Sequence, residues 1–266
     1  MGNLIALFSI LALFMLYDPA LGLARLLVPR KAFEISEHFT NAAVRHIFSI
    51  MAAYARVHLE VENPSGIELP ERFLLLTNHQ SLMDIPAFIA LFPGRPLRFV
   101  AKRELGKGIP FVSRVLRGSG HALVERDGDA GQAMRSIRRF ARRCEREGSC
   151  PVIFPEGTRS RDGEVGTFHT AGVRKILDET PLPLVVAVLD GGWRIATLKD
   201  LLLNLRDTRF RMRLLSVTPT LGAKKEVLEA IASARISIVA GLEILRAKTA
   251  SEKRDRQIRR PLRSET

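Results

Sequence analysis

The stretch FLLLTNHQSLMD, residues 73–84, decides the fold and points to the functional site. It joins a continuous apolar run to a polar turn that carries a histidine, His79, and an aspartate, Asp84. A continuous apolar run is typical of a strand that is buried on both faces, as in a parallel sheet covered by helices. In open α/β sheets, ligands bind where the carboxyl ends of the strands give way to loops. We therefore predict that His79 and Asp84 lie at a ligand-binding edge of such a sheet.

Strand-like segments recur along the chain, with helical patterns in most of the gaps between them. Several are continuous apolar runs, whereas 209–217 alternates cleanly and is predicted to be an edge or antiparallel strand. The predicted strands are RVHLEVE (56–62), RFLLLT (72–77), LRFVAK (97–102), HALVER (121–126), CPVIF (150–154), LPLVVAVL (182–189) and RFRMRLLSV (209–217). The pattern predicts an α/β fold with a mainly parallel, mixed sheet flanked by helices.

The length of 266 residues, without a clear linker, indicates one large domain with flanking segments. Residues 1–60 are predicted to form N-terminal membrane-associated helices, the second of them over Phe33–Tyr54. Residues 61–250 are predicted to form the α/β domain, which closes with a helix over 224–248. Residues 251–266 are predicted to be a basic, frayed tail.

The segment LIALFSILALFMLY, residues 4–17, has one polar residue, Ser9, and is apolar on every face, which disfavours a buried helix of a soluble protein. As a helix it would be about 21 Å long, short of the roughly 30 Å hydrocarbon core of a bilayer. Two interpretations stay open: a single span that includes Asp18, or a half-inserted helical hairpin broken at Pro19. The hairpin is favoured, because an aspartate in the middle of a span costs a few kcal/mol.

Basic residues Arg25, Arg30 and Lys31 follow this segment and place the downstream domain on the cytoplasmic side if the segment spans. The whole chain has 41 lysines and arginines against 28 aspartates and glutamates, a formal net charge of +13. Such a surface favours nucleic acid, anionic lipid headgroups or acidic substrates, and the apolar segment favours a membrane among these. The two cysteines, Cys144 and Cys150, predict neither a disulfide framework nor a zinc site.

His79 and Asp84 have the chemistry of a general base and its partner. Imidazole titrates near neutral pH, and a carboxylate beside it orients the ring and stabilises the imidazolium. Five positions apart on a regular helix, the two side chains would point about 140° away from each other. They can meet only if His79 lies in the turn before a helix and Asp84 in its first turn. Ser81 as the N-cap would produce this arrangement, although a capping box, Ser81-x-x-Asp84, also explains Asp84 without catalysis.

A second polar cluster, FPEGTRS, follows the predicted strand at 150–154. Gly157 permits close approach of the backbone, Thr158 can donate a hydrogen bond, and Arg159 offers a planar fork to phosphate oxygens. Glu156 can accept a hydrogen bond from a substrate hydroxyl. This density of recognition groups favours a binding loop over an ordinary turn.

Basic residues gather in two further places. Lys102 and Arg126 each end a predicted strand, and as a pair they could form an anion pocket. A helical pattern at 133–147 has apolar residues on one face and arginines on the other, which predicts that its apolar face packs on the sheet. The arginine face is solvated or meets an anionic partner. Nucleic acid is not expected there, because no aromatic residues are interleaved with the arginines.

Four blocks occur in the order seen in glycerolipid acyltransferases of the lysophosphatidic acid acyltransferase type, which the chain resembles over about residues 73–189. The blocks are NHQSLMD (78–84), AKRELGKGIPFVSRVLRGSGHALVERD (101–127), FPEGTRSRDG (154–163) and LPLVVAV (182–188). The resemblance implies an O-acyltransferase with His79 as general base and Asp84 as its partner. The substrate-binding residues that it implies are Asn78, Lys102, Arg126, Glu156, Gly157, Thr158 and Arg159.

The same resemblance implies transfer of an acyl chain from a thioester to the free hydroxyl of a lysophospholipid, by default lysophosphatidic acid. No metal ion or cofactor is expected, and acyl-CoA or an acyl-carrier protein is the expected co-substrate. The other expected partners are membrane lipids and the lysophospholipid acceptor. A thioester is already activated, so the acceptor hydroxyl can attack it directly once His79 removes its proton.

One departure from the family pattern leaves the acceptor open. Members often have FKKG after the third block, whereas this chain has FHTA (168–171), with His169 and Thr170 in place of the two lysines. Another lyso-lipid, such as a lyso-amino-lipid or a phospholipid under remodelling, is therefore an alternative acceptor. A non-catalytic lipid-binding relative is disfavoured because both His79 and Asp84 are present. A serine hydrolase is disfavoured because the chain has no Gly-x-Ser-x-Gly.

Overall fold

The computed structural model describes residues 1–125 and 129–258, which form one seven-stranded sheet covered on both faces by helices. The strands are β1 (His58–Glu62), β2 (Leu74–Leu76), β3 (Leu97–Lys102), β4 (Ala122–Val124), β5 (Cys150–Ile153), β6 (Leu184–Asp190) and β7 (Arg209–Thr218). The helices are α1 (Gly2–Leu27), α2 (Ala32–Ala55), α3 (Asp84–Leu91), α4 (Val112–Gly118), α5 (Ala130–Glu147), α6 (Thr170–Glu179), α7 (Leu198–Asn204) and α8 (Lys224–Ile258).

The strand order is β1-β7-β6-β2-β5-β3-β4, and each pair in the described sheet is parallel except β6 with β7. The predicted α/β fold with a mainly parallel, mixed sheet is thereby confirmed. β7 is antiparallel to β6, as one of the two predicted alternatives required. It is not an edge strand, because it lies between β1 and β6.

β7 can lie inside the sheet because carboxylates of its neighbours pair with its arginines. Arg211, which is 2% exposed, stands opposite Glu60 of β1 and bonds to both Glu60 and Glu252 of α8. Arg213 pairs with Glu62 of β1 at 3.2 Å. The partners of Arg211 are 151 and 41 residues away in sequence. From the alternation of β7 alone, its arginines were expected to face solvent, whereas in the fold they face carboxylates.

The sheet separates two hydrophobic cores, because successive side chains of a strand point to opposite faces. Leu75 faces the core under α1, α2, α3 and α7, whereas Leu74 and Leu76 face the core under α5, α6 and α8. The apolar face of α5 is buried as predicted, through Ile137, Phe140, Ala141 and Cys144. The arginines that were assigned to its opposite face, Arg135, Arg138, Arg139, Arg142 and Arg146, are exposed.

α1 and α2 pack against each other as an N-terminal helical pair, and α2 extends the predicted helix Phe33–Tyr54 by one residue at each end. The predicted break at Pro19 is wrong, because α1 continues through Pro19 and the chain turns at Pro29–Lys31. The hairpin was favoured because an unpaired Asp18 would be costly in a membrane, and the structure supplies a partner for Asp18. Its carboxylate accepts hydrogen bonds from two nitrogens of Arg114 in α4, at 2.8 and 2.7 Å, so its charge is paired within the protein.

Two features of the termini bear on membrane association and on the tail. By its length and composition alone, α1 could cross a membrane, and few of its residues are buried. At the other end, α8 continues to Ile258, beyond the predicted end of the closing helix at 248. The first half of the predicted basic tail is therefore helical, and 259–266 lie outside the described residues.

Arg211→Ala is expected to lower the free energy of unfolding by about 2–3 kcal/mol, because Glu60 and Glu252 then keep only Arg209 of the two arginines that they share. The loss is smaller than the roughly 3–5 kcal/mol of a fully buried pair, since both carboxylates are about one third exposed. Chemical denaturation followed by circular dichroism measures the change. Arg206→Ala, which removes a mostly exposed arginine, is the control. Equal denaturation midpoints for the two variants would contradict the expectation.

Candidate functional site

The site lies at the edge of the sheet where the carboxyl ends of the central parallel strands meet. β2 and β5 are parallel neighbours, so the turn after Leu76 and the loop after Ile153 leave the sheet side by side. β6 and β3, which are parallel to them, end at the same edge with Asp190 and Lys102. The polar clusters that follow these strands in the sequence therefore share one edge, which is where α/β sheets bind ligands.

His79 and Asp84 face each other across this turn. The Nδ1 atom of His79 lies 2.8 Å from Oδ2 of Asp84, and Asp84 is the first residue of α3. The fully buried Asp84 carboxylate also accepts hydrogen bonds from the backbone N–H groups of Gln80 at 2.6 Å and Ser81 at 2.9 Å. Its Oδ1 accepts from the Ser81 hydroxyl at 2.9 Å. The predicted N-cap, Ser81, is wrong, because α3 begins at Asp84 and its N-cap is Met83. The contacts with Ser81 belong to the turn before the helix, so Asp84 builds this turn and orients His79 at the same time.

The neighbours of His79 determine where its proton lies. A carboxylate only accepts hydrogen bonds, so Nδ1 carries the proton and Nε2 presents a lone pair. The ring stacks on Phe154 with 4.1 Å between the ring centroids, and the residue is 9% exposed. Nε2 has no hydrogen-bond partner in the part of the chain that the structure describes. A substrate hydroxyl at Nε2 would meet a base fixed in one tautomer and orientation.

Glu156 ties the loop after β5 to the turn after β2. Its Oε1 accepts the backbone N–H of His79 at 2.8 Å, and its Oε2 accepts the N–H of Gly166 at 2.9 Å. In return, the N–H of Ser160 donates to the carbonyl oxygen of His79 at 2.8 Å. Burial raises the pKa of the Glu156 carboxyl, while the two backbone amides act in the opposite direction. Both oxygens of Glu156 thus hold the backbone around His79.

The next three residues, Gly157, Thr158 and Arg159, form the exposed turn of this loop. Gly157 has a φ of 69°, which glycine adopts without steric cost. Thr158 is exposed, and Arg159 is half-buried with Nη1 donating to the carbonyl oxygen of Ala196. The guanidinium is thereby held at one end, and its other nitrogens remain available to an anion.

The position that departs from the family pattern lies beside this turn. The backbone N–H of His169 donates to the carbonyl oxygen of Pro155 at 2.8 Å. A Cβ atom on Gly157 would lie 3.6 Å from Cδ2 of His169. An imidazole therefore stands next to the candidate phosphate-binding loop, where lysine is common in the family that the sequence resembles.

Two buried amide side chains fasten the turn to β6. Asn78, expected to contact substrate, donates from Nδ2 to the carbonyl oxygen of Leu189 at 2.8 Å and accepts the Leu189 N–H at Oδ1 at 2.9 Å. Gln80 was not singled out from the sequence. Its Oε1 accepts the N–H of Gly192 at 3.0 Å, and its Nε2 donates to Asp190 at 3.2 Å. Its position within NHQSLMD could have marked Gln80 as a residue of the site, but the sequence did not show that its side chain is buried.

Lys102 ends β3 and is 43% exposed, with Nζ 3.1 Å from Oε2 of Glu104. Its expected partner in an anion pocket, Arg126, lies outside the described residues, so that pocket stays a prediction. Across residues 1–125 and 129–258, no group of three histidine, cysteine, aspartate or glutamate side chains is placed to hold a metal ion.

Residues 58–189 match the model of the Acyltransferase family, and this segment contains both the turn after β2 and the loop after β5. The chain belongs to the acyltransferase family. A 1-acyl-sn-glycerol-3-phosphate acyltransferase from Helicobacter pylori is 34% identical over 146 residues, which are 55% of this chain and 60% of that relative. One from Cocos nucifera is 32% identical over 144 residues, 52% of this chain and 46% of the relative. The chain thus spans about half to three fifths of these curated relatives.

The crystal structure of the 1-acyl-sn-glycerophosphate (LPA) acyltransferase PlsC from Thermotoga maritima has a similar fold. The TM-score is 0.66, with 21% sequence identity, over 93% of this chain and 98% of that chain. At this level of identity the likeness concerns the fold alone. It places this acyltransferase domain in a known architecture.

If the protein catalyses acyl transfer, as its family membership leads us to expect, Glu156→Gln should lower kcat by up to about 10²-fold with little change in KM. An amide nitrogen cannot accept a hydrogen bond, so the N–H of His79 or of Gly166 loses its partner and the turn shifts. Steady-state kinetics measure both constants. Glu164→Gln, a change of an exposed glutamate in the same loop, is the control and should be close to wild type. A higher KM with unchanged kcat would instead indicate that Glu156 contacts the substrate.

Proposed function

We propose that the protein is an O-acyltransferase that moves an acyl chain from a thioester to the free hydroxyl of lysophosphatidic acid and so forms phosphatidic acid. The observation that carries the proposal is the 2.8 Å contact between Nδ1 of His79 and Oδ2 of Asp84, beside the loop that contains Arg159. The relatives named 1-acyl-sn-glycerol-3-phosphate acyltransferase support this choice of acceptor.

In the proposed reaction, the acceptor hydroxyl donates a hydrogen bond to Nε2 of His79. It loses its proton to that nitrogen as its oxygen attacks the carbonyl carbon of the thioester. The tetrahedral intermediate then collapses, the carbon–sulfur bond breaks, and the imidazolium returns the proton to the departing thiolate. Asp84 stabilises the imidazolium through the Nδ1–H hydrogen bond. No nucleophile of the enzyme is required, because the thioester is already activated.

The phosphate of the acceptor is held, in this proposal, by the exposed turn Gly157, Thr158 and Arg159, with Lys102 and Arg126 as further cations. A guanidinium that is fixed at one end loses little freedom when it binds a phosphate with the other. Once the phosphate is bound, the hydroxyl is confined near Nε2 of the histidine. Such fixed geometry lowers the barrier by several kcal/mol.

Asn78 and Glu156 have a different role in the proposal from the one expected from the family resemblance. The Asn78 amide is bonded to both backbone groups of Leu189, and the Glu156 carboxylate holds two backbone N–H groups. We assign both as positioning residues. They fix the turn that carries His79 and need not contact the substrate.

The enzyme is proposed to act at the cytoplasmic face of a membrane. Large apolar side chains of α1 are exposed, and the basic residues Arg25, Arg30 and Lys31 beside them favour the anionic cytoplasmic leaflet. The proposed donor, acyl-CoA or an acyl-carrier protein, would approach from the aqueous side. Part of the charge of the α5 arginine face is neutralised, because Arg138 and Arg142 share Glu179 at 2.9 and 2.7 Å.

Another lyso-lipid is the second candidate acceptor. The imidazole of His169 stands beside Gly157, where the family commonly has a lysine. An imidazole offers at most two N–H donors to a phosphate, against the three of a lysine ammonium, so a different headgroup can be favoured here. A panel of lysophospholipids with one labelled acyl thioester decides between the acceptors.

His79→Ala is expected to lower ester formation from acyl thioester and lysophosphatidic acid by roughly 10²–10⁴-fold, because the reaction loses its general base. Asp84→Asn should also lower the rate, since its amide would face donors of the turn. Transfer of labelled acyl groups, followed by separation of the lipids, measures the rate.

His38→Ala is the matched control, because His38 is an exposed histidine on α2. It should retain wild-type activity and stability. Wild-type rates in folded His79→Ala protein would eliminate the proposed base, and no ester formation from any lyso-lipid by the wild type would favour a non-catalytic relative.

A further inference from the structure

A basic groove, defined here as the surface between α1 and α4 around Arg25, Arg114 and Arg117, is not used by the proposed reaction. Two adjoining cavities of about 410 and 530 Å³ open there, and Arg114 and Arg117 line both. Arg25 lines the larger cavity and Asp18 the smaller one. Neither His79 nor the loop after β5 lines either cavity, so the groove is a separate feature of the surface.

The basic groove has an excess of positive charge. Asp18 is the only carboxylate among the residues that line the two cavities, against three arginines. Three positive charges and one negative charge leave a net charge of +2. Asp18 is bonded to Nε and Nη2 of Arg114, which leaves Nη1 of Arg114 without a carboxylate partner.

The cations of the groove have free donors. Arg25 is half-buried and has no hydrogen-bond or ion-pair partner among the residues that the structure describes. Arg117 uses one nitrogen, Nη1, on a backbone carbonyl. The remaining N–H groups of these two side chains can bind an added acceptor, since a guanidinium has five donors.

Glycines on the facing helices lie next to two guanidinium groups of the groove. A Cβ atom on Gly118 of α4 would lie 2.1 Å from Nη1 of Arg25, and one on Gly22 of α1 would lie 2.9 Å from Nη1 of Arg114. Each guanidinium therefore packs against a glycine of the opposite helix.

The surroundings of the groove are suited to an amphiphile. Leu26 lines the larger cavity and is 76% exposed, and Leu23 and Leu27 on the same helix are also exposed. Arg30 and Lys31 follow at the end of α1 and are exposed. An anionic group that binds the arginines would thus have an exposed apolar surface directly beside it.

We propose that the basic groove binds the phosphate group of an anionic phospholipid headgroup, with the acyl chains of that lipid along the exposed leucines of α1. The inference rests on the proposed membrane location but not on acyl transfer. A lipid bound there would hold α1 and α4 together, and it would fix the depth at which the sheet edge with His79 meets the membrane.

The test uses the full chain in detergent and a short-chain lipid, dihexanoyl phosphatidylglycerol, with affinity measured by titration calorimetry. Arg25→Gln/Arg117→Gln is expected to weaken binding about 30-fold, and Arg25→Gln alone about fivefold. The single variant removes no hydrogen bond of the described protein, so it tests the site even if the double variant fails to fold. Dihexanoyl phosphatidylcholine should bind weakly to all of them.

The matched control is Lys224→Gln/Lys225→Gln, which removes two exposed charges at the start of α8 and should leave the affinity unchanged. His79→Ala should bind the lipid like the wild type, so failure of the catalytic proposal and failure of this one are distinguishable. Equal losses in the arginine and lysine variants, or equal affinities for the two lipids, would overturn the site. Inorganic phosphate that binds as tightly as the lipid would assign the groove to free phosphate instead.

Discussion

The buried carboxylate of Asp84 is the interaction on which the candidate site depends. It accepts four hydrogen bonds, from the His79 ring, two backbone N–H groups and the Ser81 hydroxyl, all within one short turn. A buried carboxylate is strongly unfavourable without such donors, so the turn is stable in the arrangement that satisfies all of them. The position of His79 is therefore determined by the same hydrogen bonds that offset the desolvation of the Asp84 carboxylate.

The sheet adds the second constraint through the order of its strands. β2 and β5 are neighbours although their loops are 77 residues apart in sequence, and this adjacency brings Glu156 to the N–H of His79. Phe154, the residue between β5 and that loop, supplies the flat surface on which the imidazole stacks. Tautomer, ring plane and backbone position are thus set by Asp84, Phe154 and Glu156 respectively. A base held in three ways needs little reorganisation before it reacts.

Patterns that depend on nearby residues were predictable, and those that depend on distant partners were not. The apolar runs and the alternating patterns together predicted all seven strands, and the condition under which His79 and Asp84 can meet followed from helix periodicity. The break at Pro19 was predicted from the cost of an unpaired Asp18 in a membrane. It was wrong, and the partner of Asp18, Arg114, lies in another helix, where the sequence does not show it. In the same way, β7 lies inside the sheet because Glu60 and Glu252 come to its arginines. The family pattern marked Asn78 and Glu156, but a residue type does not reveal that its partners are backbone atoms.

The contacts of α1 also argue for its orientation at a membrane. Asn3 donates to the carbonyl oxygen of Leu202 in α7. Asp18 pairs with Arg114 of α4, and the guanidinium of Arg25 packs against Gly118 of the same helix. Twenty-two positions separate the first and last of these contacts, about 33 Å of helix, which is slightly more than the roughly 30 Å thickness of the hydrocarbon core. A spanning α1 would draw α7 and α4, with their charges, into the hydrocarbon. An α1 that lies along the surface keeps every contact and exposes its leucines to lipid, and we infer this orientation.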